Sequence, residues 1–176
     1  MDIHEIDCYD APRPAVFYTL RDRYQEYLRH IPLVSSVELV ESEELDPARL
    51  RTITEWRGNA YIPSAYRNKV KPEMIRWRIH SLWDEERWIN DWRMETFHFE
   101  SIFECYGTLR FEEEGARTRC TLAAIFHIDV PVIGPVVEKY VIKNILNKSL
   151  MINGRAVRKL LREDAARGRG SYGKQG

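Results

Sequence analysis

The stretch that decides the fold is PVIGPVVEKYVIKNILNKSLMINGRAVRKLLRED, residues 131–164 of the 176-residue chain. Its apolar residues recur at about 100° per residue, so they share one face of a helix while charged and amide residues take the other. A helix of roughly 30 residues would be on the order of 45 Å long, so we expect the preceding residues to form a broad sheet that it packs against. The apolar face comprises Val137, Val141, Ile142, Ile145, Leu146, Ile152, Val157 and Leu160.

Composition limits the class of protein. A chain of this length with zero formal net charge and 44% hydrophobic residues is typical of one folded domain, and it indicates neither disorder nor a nucleic-acid partner. Cys8, Cys105 and Cys120 lie in apolar strand patterns, which favours buried thiols over a disulfide framework. No apolar run reaches the ~18 residues of a membrane span, and the acidic N-terminus is unlike a signal peptide. We therefore expect a cytoplasmic protein.

The first half of the chain predicts a strand, a helix and two more strands. Residues 3–9 form a short strand with Ile6 and Cys8 facing inward, and residues 15–29 form a helix closed by Pro32. Strands over 34–42 and 49–57 are joined around Asp46-Pro47, a turn signal.

Two hairpins complete the expected sheet. With Glu85-Glu86 as the turn, residues 75–83 pair with residues 88–96, and all the tryptophans of this hairpin fall on one face. His80 then pairs with Asp91 on the opposite face, which predicts a surface ion pair rather than a catalytic base. A second turn at Glu114-Gly115 pairs residues 103–111 with residues 118–126.

The inward face of this sheet combines indole rings with hydroxyl and amide groups. Packing is the ordinary use of such a face, but buried polar groups need partners, which a bound ligand or ordered water would supply. Gly107 and Ala124 also suggest free space, and His98 adds an inward polar group. We expect ligand contacts from Thr52, Thr54, Trp56, Trp77, Ile79, Ser81, Asn90, Trp92, Met94, His98, Phe103, Cys105, Leu122, Ala124, Phe126, Val141, Ile145 and Lys148.

Lys148 is a charged residue within the apolar face of the long helix. Its side chain either extends to solvent or contacts an anionic group at the mouth of the cavity. Signals for other chemistry are missing from the sequence, which contains no zinc-ligand spacing, no GxGxxG or P-loop and no nucleophile elbow. We therefore expect no catalytic residue, no metal and no cofactor.

The order of elements resembles the START-like helix-grip fold of the SRPBCC, or Bet v 1-like, superfamily. Within it, residues 54–56, the connection 61–71, Asp84-Glu85-Glu86 and the segment WRMETFHF at 92–99 are similar to the PRELI/MSF1 lipid-transfer pattern, over residues 50–161. Bacterial domains of the DUF2505 group resemble the chain equally well. The resemblance implies an α+β domain, here residues 1–164, with a curved antiparallel sheet wrapped around a long C-terminal helix. The Gly-, Arg- and Ser-rich composition of residues 165–176 predicts a flexible basic tail.

The same resemblance implies a function. An apolar cavity between sheet and helix would bind, and could transfer, a hydrophobic or amphipathic small molecule such as a lipid, with transient membrane contact. A polyketide cyclase or hydrolase acting in the same cavity is the alternative. In PRELI-like proteins the connection after the third strand acts as a lid and basic groups receive a phospholipid headgroup. The corresponding lid residues here are Tyr61, Ile62, Tyr66, Arg67 and Lys69.

Overall fold

The computed structural model describes residues 2–31, 34–58, 76–97, 103–128 and 147–168. Within these ranges the chain forms seven strands and three helices. In chain order they are β1 (Asp2–Tyr9), α1 (Arg13–Asp22), α2 (Tyr24–Leu28), β2 (Val34–Asp46), β3 (Arg49–Gly58), β4 (Arg76–Asp84), β5 (Ile89–Thr96), β6 (Phe103–Glu114), β7 (Arg117–Ile128) and α3 (Asn147–Ala166).

The strands form one antiparallel sheet in the order β1-β7-β6-β5-β4-β3-β2. Consecutive strands β2 to β7 are neighbours, and β1 pairs with β7 at the far side. The helices pack on one face of the sheet, so the expected α+β helix-grip class is confirmed. The predicted long helix is described from Asn147 onward and ends at Ala166, two residues beyond the expected domain boundary.

Both predicted hairpins form, but each register differs from the prediction by two residues. The first loop has four residues, 85–88, because Trp88 adopts a left-handed conformation at φ 54°, and Asp84 pairs with Ile89. The second turn is centred on Gly115 and Ala116, with Gly115 at φ 64°. Since side chains alternate with a period of two, an offset of two residues preserves the inward and outward faces. The prediction of which side chains face inward is therefore correct, although the cross-strand residue pairs differ from the predicted ones.

The facing of β1 is opposite to the prediction. Ile6 is 51% exposed, whereas Ile3 and Tyr9 are buried. Tyr9 belongs to the main core cluster, so its large ring, rather than the smaller apolar groups of Ile6 and Cys8, determines which side of the strand faces inward. This choice also turns Asp7 inward, toward α3.

Helices α1 and α2 together occupy the single helix predicted at residues 15–29, with Arg23 between them. They close one end of the sheet. Phe17 makes edge-to-face contacts with Trp83, Trp88 and Phe111, with ring centroids 5.2–5.3 Å apart. The apolar residues of α3 that complete this cluster are Ala156, Val157, Leu160 and Leu161. We call this region the packed end.

Helix α3 is anchored to β1 through a glycine and one ion pair, and to the junction of α1 and α2 through a second ion pair. A Cβ atom at Gly154 would lie 2.1 Å from Oδ2 of Asp7, so only glycine allows this approach. Arg158 pairs with Asp7, whose other oxygen accepts a 3.1 Å hydrogen bond from the Tyr9 hydroxyl. On the other side of the helix, Arg23 pairs with the buried Asp164. Gly154 thus serves close packing, not the bend that a helix glycine could also have produced.

Candidate functional site

The inner face of β3 to β7, beyond the packed end, is the wall at which the sequence predicts a ligand. Thr52, Ser81 and Trp92 lie side by side on successive strands, and Thr54, Ile79 and Met94 form the next row. Trp56, Trp77 and Thr96 form the third row. We call these three rows the inner wall.

The β6–β7 side of this face has its own apolar cluster. Its buried members are contributed by β1, β6 and β7, and the half-buried residues packed against it come from β5 and β6. Among the described residues, no helix side chain belongs to this cluster, in contrast to the packed end. The cluster contains Ile3, Cys105, Leu122, Ala124 and Phe126, together with Trp92, Met94, Phe103 and Leu109.

Within the described ranges, three polar atoms on this face are buried without a hydrogen-bond partner. They are Oδ1 of Asn90, Nε1 of Trp77 and Oγ1 of Thr96. Asn90 is only 4% exposed and lies beside Trp83, at the border between the inner wall and the packed end. An unpaired buried polar group costs about 1–3 kcal/mol. The inner wall therefore offers one donor and one hydroxyl, and its border with the packed end one acceptor, that no described residue satisfies.

The remaining polar groups of the wall are arranged around a pair of indoles. The rings of Trp56 and Trp77 stack with an interplanar angle of 12° and centroids 6.4 Å apart. Nε1 of Trp56 donates a 2.8 Å hydrogen bond to Oγ1 of Thr54. These contacts fix a flat aromatic surface at the β3–β4 side of the wall.

Cys105 is the thiol of this face. Burial raises its pKa to about 11, so it is a neutral apolar group rather than a nucleophile at pH 7. Cys120, in the packed end, has a pKa raised to about 12 by burial and by the nearby Asp7 carboxylate. Both thiols are free and buried, as the sequence predicts.

Gly107 does not leave free space. A Cβ atom there would lie 2.4 Å from the carbonyl oxygen of Ala123 and 2.7 Å from Cβ of Ala124. The glycine allows β6 and β7 to approach closely, so the expectation that Gly107 enlarges a cavity is wrong, whereas the expectation for Ala124 stays a prediction.

A groove of about 1050 Å³ lies on the outer face of the sheet. Its lining includes the outward-facing Asp91, Arg93 and Glu95 of β5 but not Thr52, Thr54 or Asn90 of the inner face. Some predicted wall residues, such as Ser81 and Trp92, also line it, and along their strands they alternate with outward-facing neighbours. The groove is therefore distinct from the predicted cavity.

The outer face holds ordinary surface ion pairs. The His80 ring nitrogen Nε2 lies 2.5 Å from Glu95, not beside Asp91 as the sequence predicts, because the register places Arg93 opposite His80. Asp91 instead accepts a 2.5 Å hydrogen bond from the Thr108 hydroxyl. His80 thus forms the predicted kind of surface ion pair, but with Glu95 and not with Asp91.

Several predicted site residues lie outside the described ranges. These are His98, the lid residues Tyr61, Ile62, Tyr66, Arg67 and Lys69, and the helix residues Val141 and Ile145. Lys148 belongs to α3, but its side chain is not described. The sequence did not single out Thr96 as a contact, although its alternation with Met94 was the available signal.

In the described part of the chain, no three His, Cys, Asp or Glu side chains are arranged to hold a metal ion. No described helix has the length and apolar character needed to cross a membrane.

Comparison with known proteins identifies the fold. No family model and no curated protein matches the sequence. Among solved structures, TTHA0849 from Thermus thermophilus is 21% identical, with 90% of this chain and 95% of that chain covered and a TM-score of 0.68. The Zhui aromatase/cyclase from Streptomyces sp. R1128 is 17% identical, with 91% and 95% covered and a TM-score of 0.61.

A plant enzyme has the same architecture. Norcoclaurine synthase from Thalictrum flavum, solved in complex with dopamine and hydroxybenzaldehyde, is 14% identical, with 93% of this chain and 87% of that chain covered and a TM-score of 0.63. Likeness at these identities establishes architecture, and membership of the PRELI-like or DUF2505-like groups stays a prediction. The chain has the START-like, Bet v 1-like helix-grip fold.

Proposed function

We propose that this protein binds a hydrophobic or amphipathic small molecule against the inner wall, between the sheet and the C-terminal helix. The observation that carries the proposal is the set of unpartnered buried polar atoms, Asn90 Oδ1, Trp77 Nε1 and Thr96 Oγ1, on a face otherwise lined by indole and apolar groups. A ligand that supplies both a donor and an acceptor would satisfy them.

The chemistry of the wall favours a hydroxylated ring system over a plain acyl chain. The stacked surface of Trp56 and Trp77 suits a flat aromatic ligand, because offset and edge contacts between rings contribute about 0.5–1.5 kcal/mol beyond area burial. A phenolic hydroxyl both donates and accepts, which matches the unpaired atoms. Norcoclaurine synthase, with the same fold, binds dopamine and hydroxybenzaldehyde, both hydroxylated aromatics.

Binding would draw mainly on burial of apolar area, at about 25 cal/mol per Å². The polar atoms would then orient the ligand rather than supply most of its affinity. A lipid with an anionic headgroup remains the alternative ligand, and its headgroup would be received by Lys148 and by Arg67 or Lys69 of the predicted lid.

A fluorescence titration with N-phenyl-1-naphthylamine tests the proposal. This neutral probe carries a naphthalene ring and one N–H donor, and its emission rises in apolar surroundings. We expect saturable binding, weakened about tenfold by Trp92→Leu, because that substitution removes an aromatic contact from the wall.

The matched control is Trp88→Leu. Trp88 is also half-buried, but it packs against Phe17 at the packed end, so we expect this substitution to leave the affinity for the probe within twofold of the wild-type value. Equal losses in the two variants, or no binding by the wild type, would refute an inner-wall site. Native mass spectrometry of protein from its own host would then distinguish a co-purified aromatic from a co-purified lipid.

An enzyme of the aromatase/cyclase type is the second candidate, supported by the name of one structure with this fold. Such chemistry needs an acid or base at the ligand. Cys105 is the one titratable side chain among the described inner-face residues named above as ligand contacts, and its raised pKa does not suit that role. The predicted inward base is His98. Turnover of a polyketide-like aromatic substrate that is abolished by His98→Ala would favour the enzyme over simple binding.

A further inference from the structure

The solvent-facing side of α3 carries a stripe of cations. Arg155, Lys159 and Arg162 are all exposed and follow one another at intervals of four and three residues, so they share one face of the helix. The stripe is roughly 10 Å long at 1.5 Å per residue. We call these three residues the basic stripe.

The basic stripe has no carboxylate partner among the described residues. The three cations form none of the ion pairs of the described chain, while their neighbour Arg158 is paired with Asp7. The one carboxylate in the shallow groove of about 520 Å³ along this helix face is Glu163. Lys159 Nζ instead lies 3.4 Å from Nδ1 of His30, and the exposed Arg29 adds a further positive charge nearby.

One feature distinguishes this surface from a protein-binding face, and a second distinguishes it from a site for single-stranded nucleic acid. It carries charge of nearly one sign, whereas protein interfaces centre on aromatic and apolar contacts. Its groove is lined by charged side chains and Ala166, with no aromatic ring on which a nucleic-acid base could stack. Ala156, Val157, Leu160 and Leu161 of α3 are buried in the packed end, so beside the basic stripe the helix meets a surface through charge and not through these apolar side chains.

We propose that the basic stripe docks the protein on an anionic phospholipid membrane. Cations at a membrane surface each contribute about 1 kcal/mol of attraction to anionic lipid, which corresponds to about fivefold in partition coefficient. The zero net charge of the whole chain makes the attraction local, so it also orients the protein with α3 toward the bilayer. The proposal deepens the proposed function, because a poorly water-soluble ligand partitions into membranes.

The test is sedimentation with vesicles of phosphatidylcholine, with and without phosphatidylserine, at low and at physiological salt. The triple variant R155Q/K159Q/R162Q should lose about 100-fold in partition coefficient for the phosphatidylserine vesicles. The triple variant R87Q/R93Q/R110Q is the matched control, since it removes the same charge from exposed residues of the β4–β5 loop, β5 and β6. We expect the control to bind within about threefold of the wild type.

Each result decides the proposal. Salt-sensitive binding that requires phosphatidylserine and is lost only in the stripe variant supports it. Equal losses in both variants, equal binding to phosphatidylcholine alone, or tighter binding to a double-stranded DNA oligonucleotide at the same salt would overturn it. So would unchanged vesicle binding together with lost stability in the stripe variant, since the cations would then serve only the helix dipole.

The outcome is separable from that of ligand binding. The stripe variant should keep wild-type affinity for N-phenyl-1-naphthylamine, because none of its three residues faces the inner wall. Failure of the vesicle test with normal probe binding would overturn the docking surface alone.

Discussion

The two halves of the inner face, the packed end and the inner wall, contain the same kinds of residue, but these residues have different surroundings. At the packed end, Phe17 fills the space between Trp83, Trp88 and Phe111, and the buried Thr118 hydroxyl donates a 2.7 Å hydrogen bond to the carbonyl of Ala11. On the inner wall, Trp77 Nε1 and Thr96 Oγ1 have no hydrogen-bond partner among the described residues, a feature that Thr19 Oγ1 of α1 also shows. Side-chain facing is identical in the two halves, so strand alternation alone does not decide whether an indole is packed among aromatic neighbours, as it is at the packed end.

The largest effect is expected at the packed end. Phe17→Ala should lower the free energy of unfolding by about 3–5 kcal/mol, because it removes a fully buried ring and leaves a cavity among three aromatic neighbours. Met94→Ala, on the half-buried wall, should cost less than half as much. Urea unfolding followed by circular dichroism measures both. Equal costs would mean that the wall is as tightly packed as the core.

The second-largest effect on the free energy of unfolding is expected at the contact of α3 with β1. Gly154→Ala should destabilise the protein by about 1–3 kcal/mol, because the new methyl group overlaps the Asp7 carboxylate. In an Asp7→Ala background the same substitution should cost much less, since the carboxylate is gone. A double-mutant cycle from urea unfolding checks this. The same cost in both backgrounds would show that the glycine is not needed for the approach of Asp7.

Removal of a buried polar group should have opposite signs in the two regions. Asn90→Leu is expected to stabilise the protein by about 1 kcal/mol, because it removes an unpaired acceptor, while weakening the binding of N-phenyl-1-naphthylamine. Thr118→Val should destabilise by about 1 kcal/mol, since the Ala11 carbonyl loses its donor. Thermal unfolding and probe titration provide the measurements. Destabilisation by Asn90→Leu would show that Asn90 has a structural partner.

The smallest effect belongs to the outer face. The hydrogen bond from His80 is the main cause of a lowered pKa at Glu95, so this carboxylate stabilises the fold above its ordinary pKa of 4.5 and loses that contribution as pH falls. Because Glu95 is 37% exposed, we expect Glu95→Gln to cost about 0.5 kcal/mol at pH 6 and less at pH 3. Urea unfolding at the two pH values tests the sign, which a larger cost at pH 3 would contradict.

The sequence predicted the sheet well because alternation is a local property. The inward facing of Thr52, Ser81 and Trp92 depends only on their position in a strand, so it was correct although both hairpin registers were displaced by two residues. The first register was missed because the left-handed conformation of Trp88 is favoured by its contacts with α1, which are remote in sequence. The second was missed because the turn is centred on Gly115 and Ala116, and not on Glu114 and Gly115. The facing of β1 failed because Asp7 looks like a surface residue until Arg158 of α3 is brought beside it.

The sequence showed that polar residues lie among the tryptophans. It did not show which of these polar residues would lack a hydrogen-bond partner. Thr54 accepts a hydrogen bond from Trp56, whereas Oδ1 of Asn90 accepts none from the described residues. Both facts depend on the tertiary geometry. The expectation of free space at Gly107 was wrong for the same reason, because the sequence of β6 alone does not show how closely β7 approaches it.

The central claim is that the inner wall, and not the packed end, receives the ligand. Labelling the five tryptophans with 5-fluorotryptophan and following ¹⁹F NMR during titration with N-phenyl-1-naphthylamine tests it directly. The account predicts that the resonances of Trp56, Trp77 and Trp92 shift while those of Trp83 and Trp88 stay fixed. Shifts confined to Trp83 and Trp88, or binding that moves none of the five, would contradict it.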